Sequence, residues 1–244
     1  MDIQRAIVLG HTDYGDADRI VQLITAEQGR IAALAKGARR KNKRFTGALE
    51  TGNCVEATLR RGGGDLQRLQ GAELVHGHPH LREHLESIAL AALLCEWVRE
   101  LGRRDQPEPK LFGLLEVALL VLDACTEPPQ AAFRMAFEAK VLSFAGLTPA
   151  LACCACCGQA LDGAVGWSPS SGGAVHEHCA SGEPISVSWA HELEALRRTP
   201  LAELVDTPAP QGGSPWALCQ LFTWHHHGKP LRSVSLLQSL HSMG

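Results

Sequence analysis

Residues 6–40 read AIVLGHTDYGDADRIVQLITAEQGRIAALAKGARR, and the punctuation of this stretch decides the fold. Runs at 5–9, 20–25 and 30–35 show partial two-residue alternation, and Tyr14-Gly15-Asp16 and Gln28-Gly29 stand between them as turn signals. Two further runs, 53–60 and 66–72, flank Gly62-Gly63-Gly64-Asp65. No helical period of useful length intervenes to make the crossovers of a parallel sheet. The expectation for the first 80 residues is therefore a small closed barrel of five strands.

From residue 81 the period becomes helical. Leu85, Ile88, Ala89, Ala92, Leu93, Trp97 and Leu101 form one stripe, and Leu111, Leu114, Leu115, Ala118, Leu119 and Leu122 a second. A third runs through Phe133, Ala136, Phe137, Val141 and Phe144, opened by Thr126 and Pro128 and closed at Gly146. The segment DTPAPQGGSP at 206–215 reads as linker, with helices expected over 216–227 and 234–240. The expected fold class is α+β and multidomain. An OB-type barrel over 1–79 precedes a helical bundle over 80–149, a metal-binding insert over 150–183 and a C-terminal helical part over 184–244. Periodicity alone does not separate an OB-type from an SH3-like barrel.

Of the 244 residues, 45% are hydrophobic and 20% charged, which excludes disorder of the whole chain. The net charge of −3 hides a split: residues 1–80 carry +3 and residues 81–244 carry −6. No run approaches the ~18–20 apolar residues of a membrane span. The opening residues lack the pattern of a secretory signal, so a cytoplasmic protein is expected.

Four of nine cysteines fall within LACCACCG at 151–158, and GGAVHEHC follows at 172–179. In a reducing compartment such clustering points to metal rather than disulfides. Cys154 and Cys157 are two residues apart with Gly158 after them, which lets a knuckle turn. His176 and Cys179 complete C-x2-C-x18-H-x2-C, a closed structural zinc site. Cys153 with Cys156, or His178 in place of His176, are the alternative ligands. A deaminase site needs an H-x-E pattern ahead of the cysteine pair and an open position for water, and neither is present. No local set of catalytic residues stands out, and a non-enzyme is expected.

KGARRKNKR at 36–44 holds Lys36, Arg39, Arg40, Lys41, Lys43 and Arg44 without an acid, and Arg60 and Arg61 extend the basic character. Such density suits a polyphosphate. Residues 1–80 contain only Tyr14 and Phe45 as aromatics, so the barrel is expected to grip the DNA backbone rather than stack bases. Binding is then sequence-nonspecific and strongly salt-dependent. The competing reading is a zinc-containing adaptor whose basic loop meets an acidic protein partner.

These motifs resemble one family, the bacterial recombination mediators called RecO. The stretch 6–40 carries its T-x-E-x-G turn and A-K-G-A-R-R run, and the CxxCG knuckle and HGKPLRSVSLLQSL at 227–240 are also similar. The resemblance implies an OB-fold domain and a helical domain with a zinc insert. It implies binding of single- and double-stranded DNA and annealing of complementary strands. It also implies action with RecR, and often RecF, to load RecA onto DNA coated by single-strand-binding protein, whose C-terminal tail is a further partner. The DNA role falls on Lys36, Arg39, Arg40 and their neighbours, and the metal role on Cys154, Cys157, His176 and Cys179. The family pattern often has cysteine where His176 stands; histidine is a competent ligand.

Weaker features have plainer expectations. His76, His78 and His80 read as a surface connection, and His225 to His227 as a helix end. Asp13, Asp16 and Asp18 read as a solvated turn, and Cys54, Cys95, Cys125 and Cys219 as buried thiols.

Overall fold

The structure is a computed structural model that describes residues 2–40, 44–62 and 66–241. The chain divides into two compact units, Met1–Thr126 and Glu127–Gly244. In the first, β1 (Asp2–Tyr14), β2 (Asp18–Thr25), β3 (Gly29–Ala35), β4 (Cys54–Arg60) and β5 (Gln67–His76) close into a barrel in the order β1-β2-β3-β5-β4. Its seams are antiparallel except β3–β5, where Ala33 lies beside Gln67 and Ala35 beside Leu69. This is the OB-like, Greek-key arrangement.

β1 serves two neighbours: Asp2 to Ile7 pair with β4, and Ala6 to Tyr14 pair with β2. A register shift between Val8 and Gly10 bends it, and Gly10 there has φ +146°. The interior is narrow, and alanine suits it: Ala6, Ala33, Ala35, Ala57 and Ala72 join Val8, Val21, Leu23, Ile31, Val55, Leu59 and Leu69. Phe45, Ala48 and Leu49, from the turns between β3 and β4, pack against that core. Asn53 Nδ2 pins those turns by donating to the carbonyls of Gly47 (2.7 Å) and Ala48 (3.3 Å).

Two helices complete the unit. α1 (Leu85–Leu101) packs on β1 and β2, and α2 (Pro109–Ala124) packs on α1 and β2. This cover explains why Ala6 to Leu9 are buried without alternation: one face meets the barrel interior and the other meets helices. The connection before α1 differs from expectation. His78 is only 4% exposed, with φ +50°, and burial pushes its imidazole down, opposed by Asp123 and aided by His76 and Arg82. It is a buried junction residue rather than a surface one.

The second unit is built around α3 (Ala131–Phe144), where Ala132, Phe133, Met135, Ala136, Phe137, Ala139, Val141 and Leu142 are all fully buried. The unit boundary thus falls inside the run that reads from sequence as one bundle. α1 and α2 spend their apolar stripes on the barrel, whereas α3 packs against α4 (Val187–Arg198) and α5 (Ala217–His225). A three-stranded sheet in the order β7-β6-β8 is formed by β6 (Val165–Ser168), β7 (Gly173–His176) and β8 (Glu183–Ile185). α6 (Arg232–His241) ends the described chain. Trp167 of β6 meets Trp189 of α4 edge-on, and its indole N–H donates to the Ala217 carbonyl at 3.1 Å.

Inside this unit Arg134 and Glu138 form a buried ion pair at 2.7 Å. Arg134 also donates to the Pro215 carbonyl (2.8 Å), and its guanidinium lies 3.9 Å from the Trp216 ring centroid. The irregular segment 206–215 is thus tied down at Pro215 by Arg134, and at Gln211 and Gly212 by Ser186, whose N–H donates to the Gly212 carbonyl at 2.7 Å.

Candidate metal centre and nucleic-acid interface

The knuckle forms because the chain reverses tightly after Cys154. Gly158 N–H donates to the Cys154 carbonyl (2.9 Å), with Gly158 at φ +73°, and Cys154 N–H donates to the Gln159 carbonyl (2.9 Å). Strand β7 brings His176 to it. Gly173 passes the backbone of Ala150 so closely that a Cβ would lie 2.3 Å from the Ala150 carbonyl oxygen, so only glycine fits. The turn after β7 returns Cys179, whose N–H donates to the His176 carbonyl at 2.9 Å. As a result one ligand atom from each of Cys154, Cys157, His176 and Cys179 lies within 4.8 Å of the others, a cluster that could hold a metal ion. Cys153 and the exposed Cys156 are outside it, and His178 stacks on His176 at 5.1 Å instead of joining.

The donor set fits a zinc ion. Tetrahedral sulfur ligands at about 2.3 Å stand about 3.8 Å apart, close to this spacing. His176 Nδ1 faces Cys157 Sγ at 3.5 Å, while Nε2 lies 3.1 Å from the Ala160 carbonyl and 3.4 Å from an Asp162 carboxylate oxygen. Those acceptors assign the ring proton to Nε2 and leave the Nδ1 lone pair for a metal. Electrostatics agree. The Cys157 N–H leads a set of backbone donors, with those of His176 and Cys156, that hold the Cys154 thiol down to about 6 against the effect of burial. Cys179 is pushed up to about 12 by burial and by the neighbouring Cys157 and Cys154 sulfurs. Three thiols so close ionise together only with a cation among them.

The cysteines outside this region are chemically quiet. Cys54, Cys95 and Cys219 are buried, and burial raises all three, Cys95 to about 12. Cys125 departs from expectation in being only half-buried.

On the barrel, the basic loop is fastened to the β1–β2 turn. Gly37 N–H donates to Asp18 (2.7 Å) and Arg39 N–H donates to the Ala17 carbonyl (2.9 Å). Asp18 is therefore a loop anchor rather than a solvated turn residue. A cleft of about 370 Å³ opens beside Phe45 and Leu49, and Arg19, Arg39 and Arg40 line it with Thr46 and Glu50. Asp13 sits against this cluster, 3.1 Å from Arg19 and 3.5 Å from Arg39. Lys36 is exposed at the end of β3, and Arg44 donates to its carbonyl at 3.1 Å. Lys41 and Lys43 lie outside the described residues.

Arg60 and Arg61 are not in the cleft. Register places Arg60 directly opposite Arg68, which lies beside Leu34 on β3, two residues from Lys36. Arg60, Arg61 and Arg68 are all exposed, a like-charge cross-strand arrangement that an anion relieves. Sequence reading does not single out Arg19 or Arg68, since only strand pairing brings them to the other cations. Their positions at strand ends next to turn signals are the one local hint.

Among the described residues no helix is long and apolar enough to cross a membrane. The family model for the recombination protein O N-terminal region matches residues 1–78, and that for the C-terminal region matches residues 82–233. The chain is 40% identical over 242 residues to a DNA repair protein RecO of Anaeromyxobacter dehalogenans (strain 2CP-C), covering 96% of this chain and 94% of the relative. It is 39% identical over 236 residues to one of Myxococcus xanthus (strain DK1622), covering 95% of each. An OB-like barrel with a cationic cleft, a helical unit carrying a Cys3His cluster, and these matches over nearly the whole length agree: the chain belongs to the RecO family.

Proposed function

We propose that this chain is a recombination mediator in DNA repair. Its barrel binds single- and double-stranded DNA without sequence preference, and it anneals complementary strands. With RecR, and RecF, it helps load RecA onto DNA coated by single-strand-binding protein. The observation that carries the reading is the cleft where Arg19, at the start of β2, meets Arg39 and Arg40 of the loop after β3 on an OB-like barrel. Phosphate oxygens suit guanidinium forks, which grip them in pairs. Arg44 adjoins the cleft residue Phe45 in sequence and donates to the Lys36 carbonyl, Lys41 and Lys43 stand between the two in sequence, and Arg60 and Arg61 with Arg68 add further exposed cations on the barrel. Backbone contacts of this kind carry no sequence information.

Cys154, Cys157, His176 and Cys179 hold one structural zinc ion in this reading. With four protein ligands the ion has no open position, and it supplies cross-linking rather than chemistry. The test is DNA binding and strand annealing by the full chain with complementary oligonucleotides, with and without RecR. Salt-sensitive binding of random sequences and faster annealing support the proposal. Absence of DNA binding with retained RecR binding points to an adaptor acting through protein contacts.

A further inference from the structure

The barrel has few means to recognise a base: Phe45 is buried and Tyr14 is its one exposed aromatic among the described residues. The second unit has what the barrel lacks. Of the five tryptophans, Trp97, Trp167 and Trp189 are at most 1% exposed, but Trp224 is 60% exposed. It stands on the wall of a cleft of about 680 Å³ between α5 and α6, with Trp216, Leu231 and Val234 as further apolar walls. Gln220 and Gln238 supply hydrogen-bonding amides at the same cleft, and no acidic residue among the described residues lines it. Trp216 is held rigid by the buried Arg134 guanidinium against its ring.

Charge selects the occupant. The 38 residues after Asp206 contain no Asp or Glu, in a chain whose residues 81–244 carry a charge of −6. Lys229 and Arg232 are exposed, and both flank cleft-lining residues in sequence. An aromatic wall, amides able to read a base edge and adjoining cations form the combination that single-stranded nucleic acid uses. The cleft volume exceeds that of one base, and duplex DNA offers no unstacked base to fill it.

We propose that this cleft is a second nucleic-acid contact, taking an unpaired nucleobase of a single strand against Trp224, with the adjoining phosphates on Lys229 and Arg232. It rests on the reading of the chain as a DNA-binding protein and adds a preference for unpaired strands that the barrel does not provide.

The experiment compares the full chain with its Trp224→Ala and Trp224→Phe variants, all of unchanged melting temperature. The probes are an oligothymidylate of about fifteen nucleotides, an abasic deoxyribose-phosphate strand of the same length, and duplex DNA. Tryptophan fluorescence of the wild type is expected to quench on the oligothymidylate. The alanine variant loses that quench and binds the oligothymidylate roughly five- to 150-fold more weakly, with phenylalanine restoring part of the affinity. Abasic and duplex binding are unchanged. Equal oligothymidylate binding by Trp224→Ala overturns the inference, as does an equal loss on the abasic strand. A wild-type protein that binds none of the DNA probes refutes the DNA-binding reading itself, and this inference with it.

Discussion

Replacing Arg39 and Arg40 together with alanine removes two of the three guanidiniums that line the barrel cleft. Each lost phosphate contact lowers the slope of log affinity against log salt by about 0.7 on a single strand and about 0.9 on duplex. The double variant is therefore expected to show a slope shallower by about 1.4 and about 1.8 respectively. Across a fourfold rise in salt the wild type then loses about sevenfold more single-strand affinity than the variant. The fold is not at stake, because the Arg39–Asp13 pair is largely solvent-exposed and such pairs contribute under about 1 kcal/mol. Asp13→Asn works in the opposite direction: it removes the carboxylate that neutralises Arg19 and Arg39 internally, so DNA binding tightens. The assay is fluorescence anisotropy of a labelled random-sequence strand over a salt series. Arg198→Ala, on the exposed face of α4, serves as the control. An unchanged slope in the double variant, or weaker binding by Asp13→Asn, refutes the phosphate-cleft reasoning.

Replacing Cys154 and Cys157 with serine is expected to release about one zinc per chain, read by metal analysis, and to lower the melting temperature; a zinc-free wild type of equal stability contradicts the site. Arg134→Ala strips a buried carboxylate of its partner and is expected to cost roughly 3–5 kcal/mol in denaturant unfolding, whereas replacing Arg134 and Glu138 together with Met and Leu recovers most of it. His78 has a lowered folded pKa, so the unfolded chain takes up a proton first as pH falls below about 6.5. Stability is therefore full above that range and declines as pH drops through it. His78→Asn, which tolerates the positive φ, flattens that part of the stability–pH curve.

The barrel is legible because turn residues punctuate it, even though β1 is buried on both faces and shows little alternation. The knuckle is legible because ligand spacing is local and specific. The sheet of β6, β7 and β8 is not, since strands of four, four and three residues with glycines carry no usable period. α4 did leave a signal in the helical spacing of Trp189, Ala190, Leu193 and Leu196, capped by Ser186, which accepts from the Trp189 N–H. The division of the helices between two units escapes periodicity altogether. A stripe states that a helix buries one face, not which partner receives it. Arg19 and Arg68 escape for a related reason: register, not proximity in sequence, makes them neighbours of the basic loop.

The contacts around the ribbon also set an order of assembly. The bond from the His176 N–H to Cys154 Sγ spans 22 residues, whereas the one from the Trp167 indole to the Ala217 carbonyl spans 50. The short loop can close as soon as Cys179 has left the ribosome, while α5 is still unmade or inside the exit tunnel. A metal ion captured then would fix the ribbon early, and Trp167 would meet Trp189 of α4 before α5 arrives to accept its indole N–H. On the proposed zinc site, a chain made under zinc starvation is expected to reach α5 with the ribbon unformed, and the Trp167 indole then becomes a point of misassembly rather than of docking.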